Sequence, residues 1–499
     1  MEKGALVFAY YGHGGGNGWA HERILEISDI NGWKNKFNQP LMITLTCSFG
    51  WYDRPAISPA ELTFLNHNGG VCAIITTSRV TWAGSDYGTK QLYYEMADKS
   101  NNRYKTIGEI HKDAINNAKG TSSNTNMIYL MGDPAMKINI PNHSVKTDEI
   151  LGDNMQKLDT LKSLTKVTVR GRVTDEAGNT LTGFNGNVYP SIFDKSVKQK
   201  TLGQDTKSPV VEFEQQKSVV FKGNATVSNG KFEFSFFVPK DINFEYGKGK
   251  ISYYATSEND DAGDFYNNFI IGGMSNKTVS DKKGPEIEVF LNDDKFVPGG
   301  ITNPNPVLFL KLKDEYGINT TGNGIGHDLV AILDNENEKQ MILNDFYLAN
   351  QDSYNSGTVR YQLNNLSPGT HTVKVRAWDI FNNSSEASLD FVVKSDEKLK
   401  LAHVLNYPNP FTTKTSFFFE HNQPVETFDI LIHIFTVSGK LVKTIRDTQF
   451  LEGNRSNPIE WDGRDDYGDR IGKGVYLYRL KVRNAQGETV EKIEKIAIL

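Results

Sequence analysis

The first 140 or so residues alternate unbroken apolar runs with stretches of helical spacing. Ala5-Leu-Val-Phe-Ala-Tyr-Tyr11, Leu41-Met-Ile-Thr-Leu45 and Val71-Cys-Ala-Ile-Ile75 are near-continuous hydrophobic segments, the pattern of strands covered on both faces. Between and after them, Ser58 can cap a helix over Pro59–Asn66, and helical spacing continues over 86–99 and 104–119, with Gly120 as a C-terminal stop. Strand and helix alternation predicts an α/β layered domain over residues 1–143 with a largely parallel sheet. In such sheets, active sites lie at the carboxyl ends of strands.

After a polar link at 143–163 the period changes from helical to two. Residues 164–281 read as a β-sandwich: Val167-Thr-Val-Arg-Gly-Arg-Val173 leads into the turn Asp175-Glu-Ala-Gly178, and Ile251–Ala255 and Phe269–Gly273 close the block. Residues 284–394 alternate in and out as an immunoglobulin-like sandwich does, most clearly in Pro285–Phe290, Ser367–Asp379 and Leu389–Val393. The charged segment Ser395–Lys400 separates this from a last all-β block, 401–499, with a hairpin about Ser438-Gly439 and an alternating strand Gly474–Leu480. The fold class is therefore multidomain, a partial α/β domain followed by all-β sandwiches.

Composition narrows the functions. At 499 residues several domains are required, and a formal charge of -5 with no Lys/Arg-rich block points away from nucleic acid and from an anionic membrane surface. Two cysteines exclude a disulfide scaffold, and Cys47 and Cys72 have no zinc-ligand spacing, so a free thiol is the reading and no metal is expected at either. No run approaches the roughly 18 apolar residues of a membrane helix. Ala5–Tyr11 reads as an interior strand with no earlier partner, so the chain is expected to begin inside a domain, with a signal peptide upstream of Met1 in the parent protein.

The candidate chemistry sits at two strand ends. Tyr10-Tyr-Gly-His-Gly-Gly-Gly16 puts the His13 imidazole in a glycine-rich turn where a peptide can approach the backbone closely, and Leu45-Thr-Cys-Ser-Phe-Gly50 puts the Cys47 thiol after the next buried strand. The thiolate is the nucleophile, and an adjacent imidazole can deprotonate it and later protonate the leaving amine. The backbone N–H groups of Gly14 and Cys47 are the candidate oxyanion donors. Other features read as structural: Cys72 as packing, His21, His67, His111 and His143 as surface or capping groups, and Tyr253, Tyr254, Tyr476 and Tyr478 as sheet-face residues. The acidic segments Glu258–Asp264 and Asp462–Asp469 read as exposed turns. The first is the one candidate for a structural calcium, and no other cofactor is expected.

Four motifs in order, His13-Gly14, Thr46-Cys-Ser-Phe-Gly50, Ala73-Ile-Ile-Thr-Thr-Ser-Arg-Val-Thr-Trp82 and Met131-Gly-Asp-Pro134, resemble the second half of the caspase-like catalytic domain of gingipain-family cysteine peptidases. The resemblance implies His13 as general base and acid, Cys47 as nucleophile, Gly14 and Cys47 as oxyanion donors, Trp82 as a wall of the substrate pocket, and Gly132-Asp-Pro134 as the stop after the last strand. It also implies an acidic residue that orients the histidine from upstream of the dyad, with Glu22 and Asp29 the nearest substitutes here. Tyr407-Pro-Asn-Pro-Phe411, Thr436-Val-Ser-Gly-Lys-Leu-Val442 and Gly472-Lys-Gly-Val-Tyr-Leu-Tyr478 resemble the C-terminal sorting domain of the type IX secretion system. Together these resemble a type IX sortase of Bacteroidetes. That implies an exported protein of the cell surface and outer membrane, cargo proteins with C-terminal sorting domains as substrates, anionic lipopolysaccharide as acceptor, and an outer-membrane partner that docks the last domain. A secreted endopeptidase that is itself cargo and a non-catalytic docking module are the alternatives.

Overall fold

Three of the apolar runs lie side by side as parallel strands, β1 (Val7–Tyr11), β2 (Leu41–Leu45) and β3 (Ala73–Thr77). Their registers run from Val7 opposite Leu41 to Tyr11 opposite Leu45, and from Leu41 opposite Ala73 to Thr44 opposite Thr76. A fourth strand, β4 (Ile128–Met131), pairs antiparallel with β3, so the sheet is largely parallel with one reversed edge. This computed structural model describes residues 1, 4–81, 87–100, 103–118, 123–204, 208–275, 280–322, 326–336, 340–394 and 398–499.

Every residue of β2 and β3 is buried, because helices cover both faces of the sheet. Helices α1 (Ile27–Gly32), α2 (Pro59–Leu65), α3 (Tyr87–Ala97) and α4 (Ile107–Asn117) supply the cover. Leu41, Ile43 and Ile75 pack with Leu92, Ile107 and Ile110, while Met42 and Ile74 pack with Ile30, Phe49 and Ala60. Alternate strand residues thus feed two cores, and that is why the runs read as continuous rather than alternating. β1 is the edge strand of the sheet, with Tyr11 49% exposed, and, as its apolar run without an earlier partner leads one to expect, its outer side is unpaired among the described residues. Ser58 caps α2 as predicted, in a reciprocal pair with Glu61, and Thr106 and Glu109 do the same for α4. The predicted stop at Gly120 lies outside the described residues.

The chain divides into two compact units, Met1–Ile140 and Pro141–Leu499. In the second unit, the segment read as a polar link carries two strands, Ser144–Leu151 and Thr160–Ser163. Their charged residues face outward while Val145, Ile150 and Leu161 are buried, so polar content masked a half-buried strand. Ser144–Leu151 heads a large antiparallel sheet through Lys166–Thr174, Lys231–Phe237, Gly186–Phe193 and Lys250–Ser257, and Thr160–Ser163 joins a three-stranded sheet with Ile270–Met274. The next block pairs a four-stranded sheet containing Val307–Lys313 and Ser356–Gln362 with a five-stranded sheet containing Gly369–Trp378 and Ser384–Val393. Apolar contact is continuous from Val145 to Val393. Residues 399–498 enclose their own core around Phe417, Phe428, Ile432 and Tyr478, with the predicted hairpin closing at Gly439 (φ +88°). Among the described residues, no helix is long and apolar enough to cross a membrane.

Candidate active site

Register brings His13 and Cys47 to one rim. Tyr11 stands opposite Leu45, and each candidate residue lies two positions beyond its strand on adjacent parallel strands. The His13 carbonyl accepts hydrogen bonds from the Ala20 N–H (2.8 Å) and the Tyr10 hydroxyl (2.8 Å), which closes the loop 13–20 into a small sheet of Gly14–Gly15, Gly18–Trp19 and Leu25–Glu26. Tyr10 stacks on Trp19, with ring centres 4.3 Å apart. Burial and the nearby Glu22 carboxylate raise the Tyr10 phenol above its usual pKa.

The glycines of this loop serve packing as well as access. A Cβ on Gly14 would lie 2.4 Å from Thr46 Oγ1, so only glycine lets the His13 loop close against the residue preceding Cys47. Arg54, seven residues past the thiol, donates to the Gly16 carbonyl at 2.7 Å and ties the two loops together from the other side.

Cys47 is half-buried, and its thiol donates to the Thr81 carbonyl oxygen at 3.4 Å. The chain then turns sharply through Ser48 (φ +51°), whose N–H donates to the Arg79 carbonyl, and the Gly50 N–H donates to Thr77. A Cβ on Gly50 would sit 2.5 Å from both the Tyr129 hydroxyl and a Thr76 methyl, so the last glycine of Thr46-Cys-Ser-Phe-Gly50 is sterically required. Tyr129 donates to the Gly50 carbonyl (2.8 Å), and burial pushes its phenol up to about 12. Arg79 pairs with Asp53 at 2.6 Å, which holds that carboxyl below the ordinary range.

No hydrogen bond joins the His13 ring to the Cys47 sulfur in this arrangement, and among the described residues no carboxylate hydrogen-bonds to His13. Asp29 is engaged elsewhere, accepting from the Glu26 N–H (2.8 Å) at the start of α1. The neighbour of His13 that spacing alone did not reveal is His21, with ring centres 6.4 Å apart. The turn signal Gly16-Asn-Gly18, which folds the chain back, was the available clue. His13, His21, Arg23 and Glu26 line a cleft of about 580 Å³ beside the glycine loop. Trp82 lies outside the described residues. Burial raises the Cys72 thiol pKa, which fits a packing role, and Gly132 (φ +138°) ends β4 with its Cα facing Ala73 too closely for a Cβ.

The acidic segment Glu258–Asp264 forms a turn closed between Ser257 and Asp260, and its Asp264 pairs with Lys146 at 2.8 Å. In Asp462–Asp469, one oxygen of Asp465 accepts from the Tyr467 and Asp469 N–H groups. Among the described residues, neither turn brings three ligand side chains together.

Residues 1–139 match the model of peptidase family C25. Among solved structures, the chain is similar to dimeric latent PorU from Porphyromonas gingivalis, at 29% identity over 86% of this chain and 41% of that one, with a TM-score of 0.34. It is also similar to the complex of the Porphyromonas gingivalis RgpB pro- and mature domains, at 14% identity over 52% of this chain and 55% of that one, TM-score 0.27. The Arg-specific cysteine proteinase gingipain R (RgpB) is similar at 15% identity, over 52% and 54%, TM-score 0.26. The chain spans 41% of the length of the PorU chain. No curated protein matches it. It is thus in its first 139 residues, the part that carries His13, Gly14 and Cys47, that the chain matches peptidase family C25, the gingipain family.

Proposed function

We propose that His13 and Cys47 are the dyad of a cysteine peptidase with a caspase-like catalytic domain. The observation that carries this reading is the shared register of β1 and β2, which levels the two residues on adjacent strand ends roughly 5 Å apart in the sheet direction. In the reaction, the Cys47 side chain turns from Thr81 about χ1 and gives its proton to His13. The thiolate attacks the scissile carbonyl carbon, and the Gly14 and Cys47 N–H groups hold the resulting oxyanion. Collapse breaks the C–N bond, His13 returns the proton to the leaving amine, and a thioester on Cys47 remains. Water or an amine then resolves it. Tyr10 and Ala20 hold the His13 backbone in place throughout.

The finer reading is a sortase that removes C-terminal sorting domains from type IX secretion cargo and passes the new carboxyl terminus to an amine of anionic lipopolysaccharide at the cell surface. The 401–499 sandwich then serves as a retained dock for an outer-membrane partner, with a signal peptide in the parent protein. Retention is supported by the buried side-chain hydrogen bond from Asn292 to Asn454 and by Lys295 donating to Asn457 at 2.7 Å, which fasten this sandwich to the preceding one. The chain is treated with a thiol-directed peptidyl probe spanning a cargo sorting junction and weighed intact. One adduct on Cys47, lost in Cys47→Ala and formed slowly in His13→Ala, is expected. An adduct on Cys72, or one indifferent to His13, would sink the dyad. Loss of residues after about 400 from the mature surface protein would favour the secreted endopeptidase that is itself cargo.

A further inference from the structure

Three carboxylates from separate segments converge at one end of the second sandwich. Asp281 lies in the linker before it, Asp314 directly follows the strand Val307–Lys313, and Asp379 directly follows Gly369–Trp378. One oxygen from each lies within 4.8 Å of the others. Asp379 is fully buried, Asp314 is 7% exposed and Asp281 is half-buried. Among the described residues, no lysine, arginine or histidine forms an ion pair with any of the three. Lys283, which interacts electrostatically with Asp281 and Asp314, is exposed and holds Glu286 at 3.0 Å. Clustered carboxylates without a counter-charge resist ionisation. Accordingly, burial and mutual repulsion raise Asp314 to about 6, and Asp379 is raised as well.

A second feature points into the same place. The Tyr347 hydroxyl belongs to a residue only 4% exposed and has no hydrogen-bond partner. Tyr347 pairs with Val359, and its ring tip lies over Gly357, where a Cβ would be 2.5 Å from Cζ. The ring therefore runs toward 355–357, and it is the Asn355 carbonyl that receives the Asp314 N–H (2.8 Å). Asp314 also acts electrostatically on this hydroxyl, raising its pKa together with burial. A buried phenol left unpaired beside a carboxylate cluster is costly unless a further group, such as cation-bound water, completes the arrangement.

We propose that Asp281, Asp314 and Asp379 bind a calcium ion, with Tyr347 facing its coordination sphere. All three ligands are hard oxygens, and no nitrogen or sulfur is present, which selects this class over zinc. Backbone N–H groups already orient the carboxylates: Tyr316 and Gly317 donate to Asp314, Phe381 and Asn383 to Asp379, and Lys283 to Asp281. The ion would sit at the junction of the two middle sandwiches. There the Lys240 N–H donates to Ile380 (2.9 Å), Phe237 meets Tyr316, and Asp241 binds Asn319, Asn382 and His327. It therefore clamps the linker to two loops that touch the preceding sandwich and fixes how the two pack.

The test uses the full chain after chelation, with Ca²⁺ followed by calorimetry and Tb³⁺ by tyrosine-sensitised emission. Saturable binding at one tight site, a melting temperature raised by Ca²⁺, and binding weakened about tenfold or more by Asp379→Asn and Asp281→Asn are expected. Because Asp281 is only half-buried, its variant decides the matter if Asp379→Asn fails to fold. Absence of Ca²⁺ binding would overturn the proposal. So would binding unchanged by these variants but lost in Asp260→Asn or Asp465→Asn, which would move the site to one of the acidic turns. Equal affinity for Mg²⁺ would remove the calcium assignment.

Discussion

The N-terminal sheet, covered by helices, and the 401–499 sandwich, covered by a second sheet, both bury apolar strands, yet their buried polar groups differ in kind. In the sandwich, period-two alternation separates the faces; buried amides such as Asn406, Asn454 and Asn484 are held by hydrogen bonds, while His421 and the Tyr478 hydroxyl stand against aromatic rings. The α/β unit instead concentrates polarity: buried Thr44, Thr46 and Thr76 hydroxyls cluster at the strand ends near Cys47, and Lys105, only 8% exposed, is sunk between α3 and α4 among Glu95, Asp98 and Asp113. The layered α/β unit depends on the Lys105 ion network between its helices and, separately, on the loop constraints at Gly14, Gly50 and Arg54 that shape the dyad's rim.

The largest test of that contrast is Lys105→Met. Glu95 is 6% exposed, and the loss of its ammonium partner leaves a buried carboxylate without a counter-charge, held only by the Gln91 and Asn117 amides, a change that costs up to about 3–5 kcal/mol. Denaturant unfolding is expected to show the α/β unit melting early while the sandwich around Trp461 keeps its transition. Equal shifts in both would break the distinction.

A smaller effect is expected on acidification of the sandwich. His421 is fully buried against Phe428, with ring centres 4.5 Å apart, and burial lowers its pKa to about 3. A folded pKa below the unfolded value of about 6.5 means that the unfolded chain binds the proton first, so this contribution is intact above pH 6.5 and is lost as pH falls toward 3. At pH 4.5 the loss is on the order of 2–3 kcal/mol. His421→Phe should flatten the pH dependence of the Trp461 fluorescence transition. An unchanged slope would show that other groups carry it.

The smallest change is Tyr478→Phe. The hydroxyl is buried without a partner, so its removal is expected to be neutral or to stabilise by up to about 1 kcal/mol. A marked loss of stability in thermal melts would mean that the oxygen is satisfied in solution.

Much of this was legible along the chain. Continuous runs marked β2 and β3, Ser58 and Glu61 marked the start of α2, and the Gly439 turn and the alternation of residues 474–480 marked the tail. The 144–151 strand was hidden because its charged residues, Lys146, Asp148 and Glu149, lie between the buried Val145 and Ile150 and read as a polar stretch in a short window. His21 was missed because adjacency to His13 depends on a loop closing over seven residues.

By itself, the sequence determined that His13 and Cys47 each follow a strand, because apolar runs and glycine turns are local properties. Whether those strands are neighbours, parallel and in level register was decided only in the folded sheet. The same holds for Asp281, Asp314 and Asp379: nothing local in the sequence sets them apart from the chain's other aspartates. Convergence of groups up to about a hundred residues apart is a consequence of strand order and packing, which a linear pattern does not encode.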